Sequence, residues 1–556
     1  MARRGVVAFT DRATTNVAAV LSTRDDGAAA ILARHLMDRD PIRPAHQVID
    51  VGPDLCPADV IAVARCNAGV ALSSEARRAM ERSAVVTARH AAAAEPVYGV
   101  TTGFGSLATV PIPANRRVQL QKSLVRSHAA GLGDPIETET VRAMMLLRVR
   151  SLSMGYSGAR PHVAETILAL LNAGITPVVP EYGSVGASGD LAPLAHCALA
   201  LIGEGAVHTR EGTEMPAATA LKQARIEPLT LGPKEGLALI NGTDGMLAML
   251  VLAEYDLRRL LRLADVAAAM SVEALLGTDR PFAADLVQLR PQPGQLASAA
   301  NLRALLAGSA IVASHREGDP RVQDAYSLRC APQVLGAARD TLEHAERVAA
   351  NELRSAIDNP MILPDGRVES CGNFHGAPLA FAADFLAIAV AEVGAMAERR
   401  TDRMLDPARS EGLPPFLADD PGVDSGLMIA QYTQAALVAE NRRLAAPASV
   451  GSLPTSAMQE DHVSMGWGAA RRLRTVVRNL ARIIAIECVT AARGLELRAP
   501  LTPAAGTAAA VAALREAGVP GPGEDRIVAV ELAIAERLVH GGELLAAVEN
   551  ELGELR

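Results

Sequence analysis

Three stretches of the chain carry apolar residues in runs that only a long helix accommodates. Met246 to Leu276 contains 31 residues without glycine or proline, and as a helix it would span roughly 46 Å. Charges are sparse in its first third and return at Glu254, Asp256, Arg258 and Arg259. Pro378 to Ala397 is apolar nearly all round, interrupted only by Asp384 and Glu392; a helix of that kind is expected to be buried by other helices. Ala469 to Arg493 is a third long candidate. Together they predict a bundle. Helices this long and apolar also bury faces against partner subunits, so an oligomer is expected.

Upstream the pattern changes. Gly-rich segments at 98–105 (YGVTTGFG), 129–135 (AAGLGDP) and 181–190 (EYGSVGASGD) predict turns and loops. Between the first two, Leu120, Leu124 and His128 recur every four residues and share one helical face. Gly131 is expected just past that helix's end. The fold class is therefore mainly α, an elongated bundle of long helices with a smaller loop-rich N-terminal region. The organisation reads as an N-terminal extension (1–46), the loop-rich region (47–245), the long-helix bundle (246–500) and a C-terminal helical segment (501–556). Within the extension, 26–39 is a short helix candidate, and no chemical motif lies there.

Composition sharpens this reading. Apolar residues make up 49% of the 556-residue chain but aromatics only 3%. Ala, Leu and Val therefore carry the core, and the first two are strong helix formers. A net charge of -8 argues against nucleic acid or an anionic membrane as the main partner. The six cysteines are scattered, with no CxxC, and are expected to be reduced thiols of a cytoplasmic protein. The first apolar stretch stops at Asp11, too soon for a signal peptide. No segment offers the roughly 18 uncharged apolar residues a membrane helix needs. The twelve histidines show no metal-ligand spacing, so no metal is expected.

The segment Gly183 to Leu194 carries the most chemistry. Ser188 or Asp190 would serve as an N-cap for the apolar run that follows. The same small residues allow something else. A backbone bent tightly enough brings the Gly189 nitrogen onto the Ala187 carbonyl carbon, and glycine leaves that nitrogen uncrowded. Loss of water closes a five-membered ring. Loss of a second water, from Ser188, leaves an exocyclic methylene that is electrophilic.

At this point the chain resembles the aromatic amino-acid ammonia-lyase and aminomutase family, whose signature is GASGDLAPL. Further motifs follow in the expected order: 97–105 with its tyrosine, 236–245 with its asparagine, 322–336 with Gln, Tyr and Arg, GNFHG at 372–376 and SAMQEDHVSMGW at 456–467. The resemblance covers about residues 50 to 500. It implies a histidase- and phenylalanine ammonia-lyase-like fold and a 4-methylidene-imidazol-5-one (MIO) group formed from Ala187, Ser188 and Gly189. It implies no dissociable cofactor, and a homotetramer whose active sites combine motifs from more than one subunit.

Each motif residue has a plain structural alternative beside the role the resemblance implies. Tyr98 is a packing residue or the mobile-loop tyrosine of proton transfer. Asn241 is a turn residue or a contact to the electrophile and substrate. Arg329 is an ion-pair partner of Asp324 or the fork that grips the substrate carboxylate, with Gln323 and Tyr326 lining the same site. Phe374 is core or a neighbour of the MIO ring. His128 is a satisfied core histidine or, with Ser127, the side-chain pocket; Ser127-His128 matches histidine-specific members. Ser456 and Gln459 form a capping-box pattern that would place Glu460 and Asp461 near a helix N-terminus. By resemblance, Glu460 is instead the acid that faces an imidazole. The expected reaction is deamination of L-histidine to urocanate. The alternatives are a tyrosine or phenylalanine ammonia-lyase or an aminomutase with the same group. A non-catalytic helical scaffold is a remoter one, opposed by intact Tyr98, Ser188, Asn241, Tyr326 and Arg329.

Overall fold

The computed structural model describes residues 48–93 and 96–556; the extension and its expected helix over 26–39 lie outside them. The fold is mainly α. Three helices form its axis: Asp244–Ala274, Ala377–Leu405 and Gly466–Glu496, of 31, 29 and 31 residues. The last packs extensively against both others. The first of the three is buried over most of its length. It ends two residues before the expected Leu276, where that residue turns left-handed (φ +49°) and Gly277 N–H bonds back to Val272 O at 2.7 Å.

A fully buried carboxylate ties the three together. Glu487, on the third helix, accepts hydrogen bonds from Arg400 of the second at 2.5 and 3.0 Å and from Ser271 of the first at 2.7 Å. Arg400 and Glu487 are both 0% exposed. Removing one member of such a pair strands the other charge in a low-dielectric interior. Glu487→Ala is therefore expected to destabilise the fold by about 3–5 kcal/mol, read as a lowered thermal or denaturant midpoint. A midpoint unchanged from wild type would contradict this.

The second helix corrects an expectation. Pro378 to Ala397 is not buried all round, because Phe381, Phe385 and Ile388 remain 61%, 51% and 45% exposed. Their i, i+4, i+7 spacing makes one apolar stripe. Two segments, Glu235–Ala274 and Ala377–Leu405, also prove long and apolar enough to cross a membrane, where none was expected. The apolar part of the first is wholly buried inside the protein, so it serves as core.

Around the bundle's end lies the loop-rich region, built from short helices and two- or three-stranded sheets. The antiparallel pair Leu132–Pro135 and Pro180–Tyr182 joins the end of helix Arg117–His128 to the loop before helix Leu191–Leu201. That pairing brings two chemically interesting segments side by side. One apolar cluster runs from Ile49 to Leu555. The C-terminal helices Ala505–Glu516, Val528–Gly541 and Glu543–Leu552 pack on the long ones and on each other.

Candidate active site

The 183–190 loop is held from two sides. Asp190 N–H donates to Gly242 O at 2.7 Å, and Ser464 Oγ donates to Gly186 O at 3.0 Å. Gly189 is left-handed (φ +78°), and a Cβ there would lie 2.1 Å from Gly242 O. Only glycine fits this position.

The side chain of Asp190 does not cap the helix it precedes, as the local sequence suggested. Its Oδ2 accepts the N–H groups of Gly245 and Met246, both at 2.9 Å. It thereby satisfies the first turn of the long helix Asp244–Ala274, where orphan donors and the positive dipole end lie. Oδ1 accepts from Ser184 Oγ at 3.0 Å. Burial nevertheless pushes the Asp190 carboxyl up to about 7, against the pull of these donors and with Asp244 adding to the rise.

The folded chain thus holds a proton on Asp190 over a range, about pH 4–7, where the unfolded chain has lost it. This contribution to stability is complete below about pH 4 and fades as pH rises through about 7. Its slope is at most about 1.4 kcal/mol per pH unit. Asp190→Asn, which preserves the shape, should flatten the stability profile over that window. Profiles that stay parallel would refute the assignment.

Four of the expected residues converge. Ser188 Oγ donates to Glu460 Oε1 at 3.1 Å. Thr455 Oγ1 donates to Glu460 Oε2 at 2.6 Å. Burial holds the Tyr98 phenol above its ordinary value. The Gly105 N–H lowers it in part, and the Glu460 charge raises it again. That N–H reaches the phenol oxygen at 3.0 Å. Burial lowers the His128 imidazole, while the Leu124 carbonyl and the charge of Glu460 act the other way. His128 Nδ1 lies 2.9 Å from Leu124 O and 3.1 Å from Ser127 Oγ. A carbonyl only accepts, so Nδ1 carries the hydrogen and Nε2 keeps its lone pair. The site therefore presents the carboxylate of Glu460 on Ser188 and, within the field of that carboxylate, a neutral imidazole nitrogen of His128.

Glu460 does not sit at a helix N-terminus. Ser456, Ala457 and Met458 all turn left-handed (φ +50°, +51° and +69°), so the capping box does not form. Thr455 and Glu460 instead close the turn by backbone hydrogen bonds at 2.8 and 3.3 Å. The tyrosine loop packs against this turn, where a Cβ on Gly105 would meet Ser456 Oγ at 2.7 Å. Helix Arg117–His128 stops at His128 and is capped by Ala129. Gly131 is therefore not its cap; it lies in the strand entry, with its N–H bonded to His196 Nε2 at 3.1 Å.

Asn241 caps the short helix Glu235–Ile240. Its Nδ2 donates to Asn359 O at 3.0 Å, Arg148 holds its carbonyl at 2.8 Å, and its buried Oδ1 has no partner among the described residues. Ala187 is buried within the loop. Phe374 is half-buried; its neighbour His375 stacks on His462 at 5.7 Å, two residues from Glu460. Gln323, Tyr326 and Arg329 make no hydrogen bond to this group among the described residues. Tyr326 is 71% exposed, with the Arg329 guanidinium 4.6 Å over its ring. Asp324 pairs with Arg321 at 3.6 Å and accepts from Thr278 N–H, so it is not the partner of Arg329. Sequence reasoning missed Thr455, Arg148 and Gln121. Of these, Gln121 left a signal, a polar side chain on the buried face that Leu124 and Val125 share.

The sequence model for aromatic amino acid lyases matches residues 55–516. Histidine ammonia-lyase of Streptomyces avermitilis is 59% identical over 510 residues, covering 92% of this chain and all of that one. The Streptomyces griseus enzyme of the same name is 60% identical over 499 residues, 89% of this chain and 97% of its own. Among solved structures, tyrosine aminomutase from Streptomyces globisporus superposes with TM-score 0.87 at 39% identity, covering 91% of this chain and all of that one. Histidine ammonia-lyase from Trypanosoma cruzi gives 0.83 at 40% identity, covering 91% and 96%.

Proposed function

The chain belongs to the aromatic amino acid lyase family, and from that premise we propose that it deaminates L-histidine non-oxidatively to trans-urocanate and ammonia. The observation that carries the choice of substrate is the carboxylate of Glu460 on Ser188, with the His128 imidazole within the field of its charge. Two acceptors suit the two N–H groups of a protonated imidazolium, whereas the neutral ring has one N–H to give and the side chain of phenylalanine has none.

The tripeptide Ala187-Ser188-Gly189 fits the MIO group. A left-handed Gly189 with no room for a Cβ supports a tightly bent backbone at this tripeptide. Such a group supplies an electrophile for the substrate, where an α-ammonium leaves poorly. The chain's own residues do the rest. Glu460 and the neutral His128 orient the side chain. The unpartnered Oδ1 of Asn241 is an acceptor for the substrate ammonium. Tyr98 is assigned the proton transfer at the β-carbon, which it can perform as a base only in its phenolate form, against the burial that raises its phenol.

The carboxylate grip falls to Arg329, with Tyr326 and Gln323. Because Tyr326 and Val322 are 71% and 100% exposed, we assign these residues to the active site of a neighbouring copy within a homotetramer. The stripe of Phe381, Phe385 and Ile388 is apolar surface for that assembly to cover. The proposed setting is cytoplasmic, with no nucleic acid or membrane partner. The likeness to a tyrosine aminomutase makes a β-amino acid the product to look for alongside urocanate. Incubation with L-histidine should release ammonia and a near-UV-absorbing conjugated acid in equal amounts. Ammonia-free conversion to an isomer would instead identify an aminomutase.

A further inference from the structure

Gln121 lies on helix Arg117–His128, two turns before His128, and is 0% exposed. Its Oε1 accepts the N–H groups of Gly236 and Leu237 at 2.9 and 3.3 Å. These belong to the first turn of helix Glu235–Ile240, whose other end is Asn241. Its Nε2 donates to Gly99 O at 3.3 Å, next to Tyr98. The orientation of the amide is fixed by chemistry, since the reverse would set NH₂ against two donors and oxygen against a carbonyl. Gly99 is left-handed (φ +67°) and lies so close to Leu237 that a Cβ would meet Cδ2 at 2.5 Å. Within the loop itself, Val97, Thr101, Gly103, Val110 and Ile112 hydrogen-bond among themselves, which shapes the loop without fixing where it sits.

We propose that Gln121 is a positioning residue that latches the Tyr98 loop to the helix carrying Asn241. One amide joins three elements, the tyrosine loop, the His128 helix and the Asn241 helix. Its acceptor half braces the Asn241 helix and its donor half holds the loop down. Tyr98 then keeps its place near Glu460 and Ser188, and opening the loop requires the Nε2–Gly99 bond to break. The catalytic consequence rests on the proposed role of Tyr98; the latch itself does not.

Two substitutions in the full chain separate the halves. Gln121→Glu, assayed at alkaline pH so that the buried carboxyl is ionised, keeps an oxygen for Gly236 and Leu237 but turns an acceptor towards Gly99 O. Gln121→Met removes both contacts while filling similar space. Amide hydrogen exchange read by mass spectrometry should rise about tenfold over residues 98–105 in the Glu variant, as expected for one lost hydrogen bond. Residues 236–241 should stay as in wild type, and both segments should exchange faster in the Met variant. kcat on histidine should fall about tenfold with KM changed less than about threefold, and the two-water loss at 187–189 should persist. Should the Glu variant fail to fold, loop exchange in the Met variant decides alone. Unchanged exchange over 98–105, or a rise spread evenly over the region, overturns the latch. If wild type proves inactive on histidine while the exchange pattern holds, the substrate reading fails and the latch stands.

Discussion

Ser188→Ala should leave a folded protein that has lost almost all activity, at least about a thousandfold, or about 4 kcal/mol of transition-state stabilisation. In the proposed cyclisation the hydroxyl of Ser188 is the group whose departure creates the exocyclic double bond, and alanine has nothing to lose. Peptide mass spectrometry of wild type should show residues 187–189 lighter by two waters, and the variant should lack that loss. Folding should survive, because Ser188 is only half-buried and its hydroxyl makes a single hydrogen bond among the described residues, to Glu460. An unmodified wild type with full activity would remove the electrophile from the account.

Changes at the two acceptors should act on the choice of substrate instead. A site built around hydrogen bonds to a ring discriminates against an analogue lacking them by up to roughly 10⁴-fold. Glu460→Gln replaces an acceptor-only carboxylate with an amide, half of which donates. His128→Phe deletes the Nε2 acceptor. Each should cut kcat/KM for histidine by about a hundredfold or more. His128→Phe, with Ser127 also replaced, should raise the relative rate with phenylalanine or tyrosine. The two-water loss should be retained, since neither residue lies in the cyclising tripeptide. Uniform loss on all substrates would make these residues structural.

The long helices were legible because 31 residues without a breaker permit little else. The Ala187-Ser188-Gly189 segment and the Ser127-His128 pair were picked out from short motifs, and the roles given to them are proposed ones. What the sequence concealed has physical causes. Asp190 reads as a local cap, but its carboxylate serves a helix start 55 residues further on, and no local pattern encodes a contact at that range. The 456–458 turn is left-handed at Ser456, Ala457 and Met458, residue types that rarely adopt such angles. A capping pattern there was the natural inference and the wrong one. Neither Tyr326 nor Arg329 joins the site in a single chain, which follows if a second copy brings them. The exposed stripe on the second long helix carries a related lesson: apolar periodicity marks an apolar face but does not show what covers it.

The most direct test of the account is the ratio of kcat/KM for L-histidine to that for L-tyrosine and L-phenylalanine, measured on the wild-type assembly with products identified. The account predicts urocanate and ammonia from histidine, with a preference over phenylalanine of roughly 10⁴-fold. A higher kcat/KM on tyrosine or phenylalanine, or a β-amino acid as the main product, would contradict it.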